Sequence, residues 1–282
     1  MPEGDTIFRA ARTMHRVLAG RIVVEFDCVY PIVTRAAERH AVVGRAVDSV
    51  TSRGKHLLLH FSSGLVLHTH MRMNGSWHLY PDGARWQRRR SDARVIVGCE
   101  GVVAVGFLVP VVELLTAREV ARHEALRRLG PDPLAPSFGG GDAAEIARRV
   151  RAHGGAAIGD TLLNQRVVAG IGNVLRSEIL FVARIDPFRA AARLSDQELT
   201  RIVETAQDLL AANVLTREAT LSRSGGRRTT RSLDPDEKLW VYGRGGRACR
   251  LCGASILSAK TGPDARIVYW CPGCQPAIAT DG

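Results

Sequence analysis

The chain has 282 residues, 45% hydrophobic and 24% charged, a balance that excludes a disordered or membrane-spanning polypeptide, and its length exceeds one ordinary core, so two domains and a small appendage are expected. Lys plus Arg outnumber Asp plus Glu by 39 to 28, giving +11 and a pI of about 10.1, which favours a polyanionic partner, nucleic acid first. Glu3 and Asp5 near the start, with no basic segment leading into an apolar run, predict no secretory signal, no membrane attachment and a cytoplasmic, nucleoid-associated protein.

After Asp5, expected as a cap, Ile7, Ala10, Ala11, Met14, Val17 and Leu18 recur at helical spacing before Gly20. From Arg21 to about Leu115 the pattern changes to short β-rich runs, including Ile22 to Phe26, Leu57 to Phe61, Leu65 to Thr69, Val95 to Val97 and Val102 to Val112, predicting a β-sandwich or flattened barrel. Cys28 and Cys99 fall in these runs as buried thiols. His68 and His70 share one strand face and could ligate a metal; lacking a third ligand nearby in sequence, they read first as packed or hydrogen-bonded side chains.

Residues 130–142, with Pro131, Pro133, Pro136 and glycines at 139 to 141, read as a linker. Helices are predicted beyond it over Ala143 to Ala152, Asp160 to Val168, Asn173 to Val182 and Ser195 to Asn213, the last with a Ser195/Glu198 capping box. Ser222 to Asp236 is polar, basic and expected as a loop. The class is α+β: a sandwich with a leading helix, a helical domain and a terminal ribbon.

That ribbon carries Cys249-x-x-Cys252 and Cys271-x-x-Cys274 separated by eighteen residues, the spacing of a four-thiolate zinc site. One structural Zn2+ is expected, because the intervening hairpin is too small to hold its own core. Paired disulfides would need an oxidising compartment, which nothing here supports.

At the other end, removal of Met1 would leave a prolyl secondary amine on Pro2. A terminal amine titrates near 7.7–8.0 against about 10.4 for Lys, so on the order of a few hundred times more of it is nucleophilic at neutral pH, and the adjacent helix dipole disfavours the ammonium further. Such an amine can attack C1′ of a deoxyribose, expel the base and leave a Schiff base that sets up elimination of the 3′ phosphate; Glu3 beside it can move the protons. Lys occurs only at 55, 238 and 260, which singles out Lys55, since Arg cannot exchange protons.

Met1-Pro2-Glu3-Gly4-Asp5, Arg53-Gly54-Lys55-His56, Gly170-Ile171-Gly172-Asn173 and the ribbon ending Tyr269-Trp270-Cys271-Pro272-Gly273-Cys274-Gln275 together resemble the formamidopyrimidine-DNA glycosylase and endonuclease VIII family, over residues 2 to about 275 and closer to the endonuclease VIII branch. The resemblance implies a bifunctional glycosylase and abasic-site lyase of base excision repair acting on damaged duplex DNA as a monomer. It implies Pro2 as nucleophile, Glu3 as general acid and base, Lys55 as the lysine assisting β-elimination, and Arg266 as the ribbon arginine on the phosphates, linked with δ-elimination. Arg72, Met73 and Asn74 match the residues that fill the gap left by the flipped nucleotide, and Arg128 and Asn173 match DNA contacts, Asn173 placed to cap a helix whose amides face outward.

The implied partition is 1–129 for the catalytic sandwich, 130–142 for the linker, 143–237 for a helix-two-turn-helix domain with a basic loop, 238–275 for the zinc ribbon and 276–282 for a tail. The formamidopyrimidine branch carries a second glutamate where this chain has Asp5-Thr6, which favours oxidised pyrimidines over purine lesions such as 8-oxoguanine. Arg223, Arg227, Arg228 and Arg231 are expected to border the lesion pocket. Two other readings stay open at this point: a non-catalytic zinc-ribbon DNA binder, and an RNA-binding or ribosome-associated basic zinc protein.

Overall fold

The structure, a computed structural model, describes residues 2–215 and 227–277. The chain divides into two compact units, one running to Arg128 and the other beginning at Leu129. The first comprises α1 (Gly4–Leu18), β1 (Val23–Cys28), α2 (Pro31–Arg39), β2 (Val47–Arg53), β3 (His56–Phe61), β4 (Leu65–His70), β5 (Ser76–Pro81), β6 (Ala93–Cys99), β7 (Val102–Phe107), β8 (Val111–Thr116), α3 (Ala117–Arg122) and α4 (Glu124–Arg127).

Two antiparallel four-stranded sheets, ordered β1-β6-β7-β5 and β2-β3-β4-β8, enclose one core. Val23, Trp77, Val95, Val97 and Ala104 from one sheet meet Leu57, Leu59, Phe61, Leu65 and Leu67 from the other, so alternate residues of each strand supply the sandwich. The predicted run from Val102 to Val112 is two strands. Leu108 takes a left-handed φ of +50° between β7 and β8, and the chain changes sheets there.

The leading helix begins at Gly4, with Glu3 as its N-cap residue. Asp5, expected as the cap, instead accepts from the Thr6 amide at 2.7 Å within the first turn. The stripe Ile7, Ala10, Ala11, Met14 and Leu18 is buried as its spacing predicts, and the helix packs along β2. Helix α2 was not foreseen. Its Ile32-Val33-Thr34 run is β-branched and only Val33 and Ala37 are buried, but Pro31 at the first helical position and this i, i+4 pair suffice in context.

The second unit holds α5 (Gly140–Arg151), α6 (Ile158–Thr161), α7 (Asn173–Val182), α8 (Asp196–Leu215), β9 (Leu257–Thr261) and β10 (Arg266–Trp270). Its main core joins Ile146, Val150, Leu162, Ile171, Leu175, Ile179, Leu199 and Leu210, and the Ser195/Glu198 capping box forms, with reciprocal bonds of 2.8 and 3.3 Å. The helix predicted over Asp160 to Val168 shrinks to Ile158–Thr161. The turns after it are closed by Gln165, which accepts from the Gly170 amide at 3.0 Å and donates to the Leu163 and Ile171 carbonyls at 2.9 Å. Residues 130–142, expected as a linker, are strapped onto this core: the Gly130 amide reaches the Gln165 carbonyl at 2.8 Å, the Ala169 amide reaches the Pro131 carbonyl at 2.9 Å, and Leu134 and Phe138 pack against the core. A Cβ on Gly130 would stand 2.4 Å from the Val167 carbonyl oxygen, so glycine is required there by close backbone approach.

Candidate active site and metal centre

In the first unit the candidate residues gather at one end of the second sheet. The His15 ring accepts from the Val50 amide at 3.2 Å, and the Gly20 amide reaches the Val47 carbonyl at 2.8 Å. Descending helix numbers therefore match ascending strand numbers, and the N-terminus of α1 points toward the β2–β3 turn. From His15 back to Gly4 is about 17 Å of helix; from Val50 on to Gly54 is about 13 Å of strand. Pro2 and Glu3 thus start the chain close to the level where the turn presents Lys55. Gly54 supplies that turn's left-handed φ of +57°.

The β3–β4 register pairs His56 with His70, so the turn following β4 leaves from the same end. This turn carries Arg72, Met73 and Asn74, all exposed. It is closed by the Gly75 amide donating to the Met71 carbonyl at 2.9 Å, and a Cβ on Gly75 would lie 2.5 Å from that oxygen. Arg72 adopts φ +49° and donates its amide to the His70 ring at 3.1 Å. Burial first, then the nearby Arg72 and Lys55 cations, push His70 down to about 4, which keeps its ring neutral beside them.

Glu3 is fully buried at 0% exposure, its carbonyl accepting from the Thr6 and Ile7 amides at 2.9 and 3.0 Å. Its side chain is thus enclosed at the start of α1, next to Pro2, whose amine the sequence singles out. Arg128, at the end of α4, is half-exposed and paired with Glu124 at 2.6 Å, an i, i+4 contact weak enough to yield to a phosphate.

In the second unit the four cysteines converge. Cys249 Sγ and Cys274 Sγ are 3.8 Å apart, Cys252 Sγ and Cys271 Sγ 3.3 Å, and all four sulfurs lie within 4.8 Å of one another. These separations far exceed a sulfur–sulfur bond of about 2.05 Å and match the edges of a tetrahedron around an ion bonded at about 2.3 Å. The Leu251 amide donates to Cys249 Sγ at 3.4 Å. Gln275, buried, accepts from the Cys271 amide at 3.0 Å and donates to the Ile185 carbonyl at 2.7 Å. The donor set fits a structural metal with no open position.

Three residues that sequence reasoning missed fasten the ribbon: Arg176 and Asp160 hold the β9–β10 hairpin, paired from Arg266↔Thr261 to Trp270↔Leu257, and Glu178 holds the 240–242 segment before it. Arg176, 0% exposed, contacts the Asp160 carboxylate and the Thr261 hydroxyl at 3.1 Å each and Asn173 Oδ1 at 2.6 Å. Asp160 also accepts from the Thr261 hydroxyl at 2.6 Å. Glu178, equally buried, accepts from the Trp240, Val241 and Tyr242 amides at 2.8, 2.9 and 2.8 Å and from the Thr229 hydroxyl. The available signal was two charged residues inside the otherwise apolar face of Asn173 to Val182.

Asn173 does not cap α7. Gly172 occupies the cap position, and the Asn173 amide donates to the Ile267 carbonyl at 3.0 Å, so its side chain ties the helix to the hairpin. Arg266 is 42% exposed and 4.0 Å from Asp264, an exposed pair worth about 0–1 kcal/mol. The Arg228 side chain donates to the Ser232 and Asp234 carbonyls of its own loop; Arg231 is exposed, and Arg223 lies outside the described residues.

Two family models match the chain: the formamidopyrimidine-DNA glycosylase N-terminal domain over residues 1–107 and the formamidopyrimidine-DNA glycosylase H2TH domain over residues 129–224. A probable endonuclease 8 2 of Streptomyces coelicolor is 39% identical over 285 residues, covering 99% of this chain and 95% of the relative. A DNA-(apurinic or apyrimidinic site) lyase of Mycolicibacterium smegmatis is 34% identical, covering 98% and 100%. The solved complex of Lactococcus lactis Fpg with abasic-site DNA matches in fold with a TM-score of 0.80 at 21% identity, over 98% of this chain and all of that one.

Proposed function

This chain belongs to the formamidopyrimidine-DNA glycosylase and endonuclease VIII family, and from that membership we propose a bifunctional DNA glycosylase and abasic-site lyase that excises oxidised bases through the amine of Pro2. The observation carrying this reading is the gathering of Pro2 and Glu3, the Lys55 turn and the Arg72–Asn74 turn at one end of the sandwich.

In the proposed reaction, Met1 is removed and the Pro2 nitrogen attacks C1′ of an extruded nucleotide. The glycosidic bond breaks, Glu3 delivers a proton toward the sugar or the leaving base, and an iminium joins Pro2 to C1′. Loss of the C2′ proton, assisted by Lys55, expels the 3′ phosphate. Arg266 on the flanking phosphates favours the second elimination, and water then releases the enzyme. In this reading Met73 with Arg72 and Asn74 fills the vacated stack, Arg128 and Asn173 contact the DNA, and one Zn2+ in the four-cysteine site holds the ribbon. Oxidised pyrimidines are the favoured substrates, and the enzyme acts as a monomer.

Borohydride reduction with an abasic-site duplex tests the chemistry. A covalent protein–DNA species is expected for the processed chain and is lost in Pro2→Gly or when Met1 is retained. No trapped species with the processed wild type would leave a DNA binder without turnover. Incision of duplexes carrying thymine glycol, dihydrouracil and 8-oxoguanine ranks the substrates, and the product ends separate one elimination from two.

A further inference from the structure

Beneath the same sheet end lies a ligand cluster that the proposed reaction does not use. His68 on β4 and Glu113 on β8 are direct cross-strand partners, with His68 Nδ1 2.7 Å from Glu113 Oε2. His123, at the junction of α3 and α4, brings Nε2 to 3.1 Å from the same oxygen. The three ligand atoms all lie within 4.8 Å of one another. We infer that His68, Glu113 and His123 form a second metal site, for one divalent cation of borderline softness such as Zn2+, with water completing the tetrahedron.

Two imidazoles and a carboxylate form a donor set suited to zinc, cobalt or nickel rather than to calcium or magnesium. An ion bonded at about 2.0–2.1 Å spaces its ligands about 3.3 Å apart, so shifts of about an ångström in the partly exposed Glu113 and His123 side chains bring these three atoms onto one. His68 is 1% exposed, against 40% for Glu113 and 21% for His123, giving a rigid rear ligand and two partly exposed front ligands. Behind His68, His56 Nδ1 lies 2.8 Å from His68 Nε2. An ion on His68 Nδ1 leaves the ring proton on Nε2, where His56 can accept it; an outer hydrogen bond of this kind fixes the tautomer and orientation of a metal-binding imidazole.

The strand spacing hid this site because the partner of His68 is not His70, two residues along, but residues 45 and 55 positions later. An ion here would pin the α3–α4 segment to β4 and β8, next to Glu124, whose carboxylate holds Arg128 at 2.6 Å. The metal-free arrangement, in which Glu113 accepts a hydrogen bond from each ring, uses the same residues, and metal content separates the two.

The test counts Zn2+ per chain after equilibration and removal of free ion. Two equivalents are expected in the wild type and one in the Glu113→Gln/His123→Gln double variant. A wild type that holds a single equivalent, or a double variant that still holds two, overturns the assignment. Should the double variant fail to fold, Co2+ titration of the wild type decides. The second equivalent should add visible d–d absorption without further thiolate-to-cobalt charge transfer, and saturation at one equivalent rejects the site.

Discussion

Glu178 shows how much a single residue can hold. Its Oε1 accepts from the Val241 and Tyr242 amides, its Oε2 from the Trp240 amide and the Thr229 hydroxyl, and all of it is shielded from water. Replacing it with Ala strands the amide of buried Val241 and those of partly buried Trp240 and Tyr242, each buried one costing about 1–3 kcal/mol when left unmade, so Glu178→Ala should destabilise the second unit by about 2–3 kcal/mol in urea unfolding. Glu178→Gln keeps one accepting oxygen but aims an N–H at the Trp240 amide, and should cost roughly half as much. Equal and small losses for both would show that the 240–242 segment is held by packing, such as Phe181 against Trp240. Neither Glu178 nor Arg176 was legible as an anchor, because a charge in a helix reads as solvent-facing until the long-range amides that bury it are known. The four cysteines were legible as one cluster because their pairing depends on residue type and local spacing.

Among the elements, strands and helices with strong periodicity formed where expected, and the exceptions each have a local cause. The β8 strand was fused with β7 because the run stays apolar through Leu108 and Val109 and the break signal of Pro110 was passed over, and α6 ended early because Gln165 gives the following turns alternative hydrogen bonds. On the proposed reading, DNA insertion rests on the turn after β4. Met73 is 53% exposed, so Met73→Ala should leave stability within about 0.5 kcal/mol while lowering incision of base-damaged duplex far more than cleavage of a single-stranded abasic site, where no stack must be filled. Gly75→Ala is expected to do the opposite kind of damage. Its methyl would strike the Met71 carbonyl backbone at 2.5 Å, distorting the whole turn and impairing both reactions together. Parallel losses in Met73→Ala would remove the wedge role.

For the molecule as a whole, the division into two units and the placement of the cysteine cluster predict that a thiolate-bound metal stabilises the second unit and leaves the first unaffected. The ribbon's own core is slight, consisting of Val241 and Ile256 with the cysteines and Phe181 beneath, and each such aliphatic side chain contributes about 1.5–3 kcal/mol on burial. A structural thiolate ion contributes about 10–16 kcal/mol, so the ion and not the apolar contact dominates there. Cys249→Ser should therefore lose one equivalent of metal and lower the calorimetric transition of the second unit, while the transition of the first, whose core joins both sheets, stays in place. If Arg266 grips phosphates from the hairpin beside the cysteine site, as proposed, the same variant should bind DNA more weakly and show a shallower dependence of affinity on salt, since fewer phosphates are neutralised. An unchanged salt slope would mean that the hairpin is held without its ion, by the Arg176, Asp160 and Asn173 bonds to Thr261 and Ile267 alone.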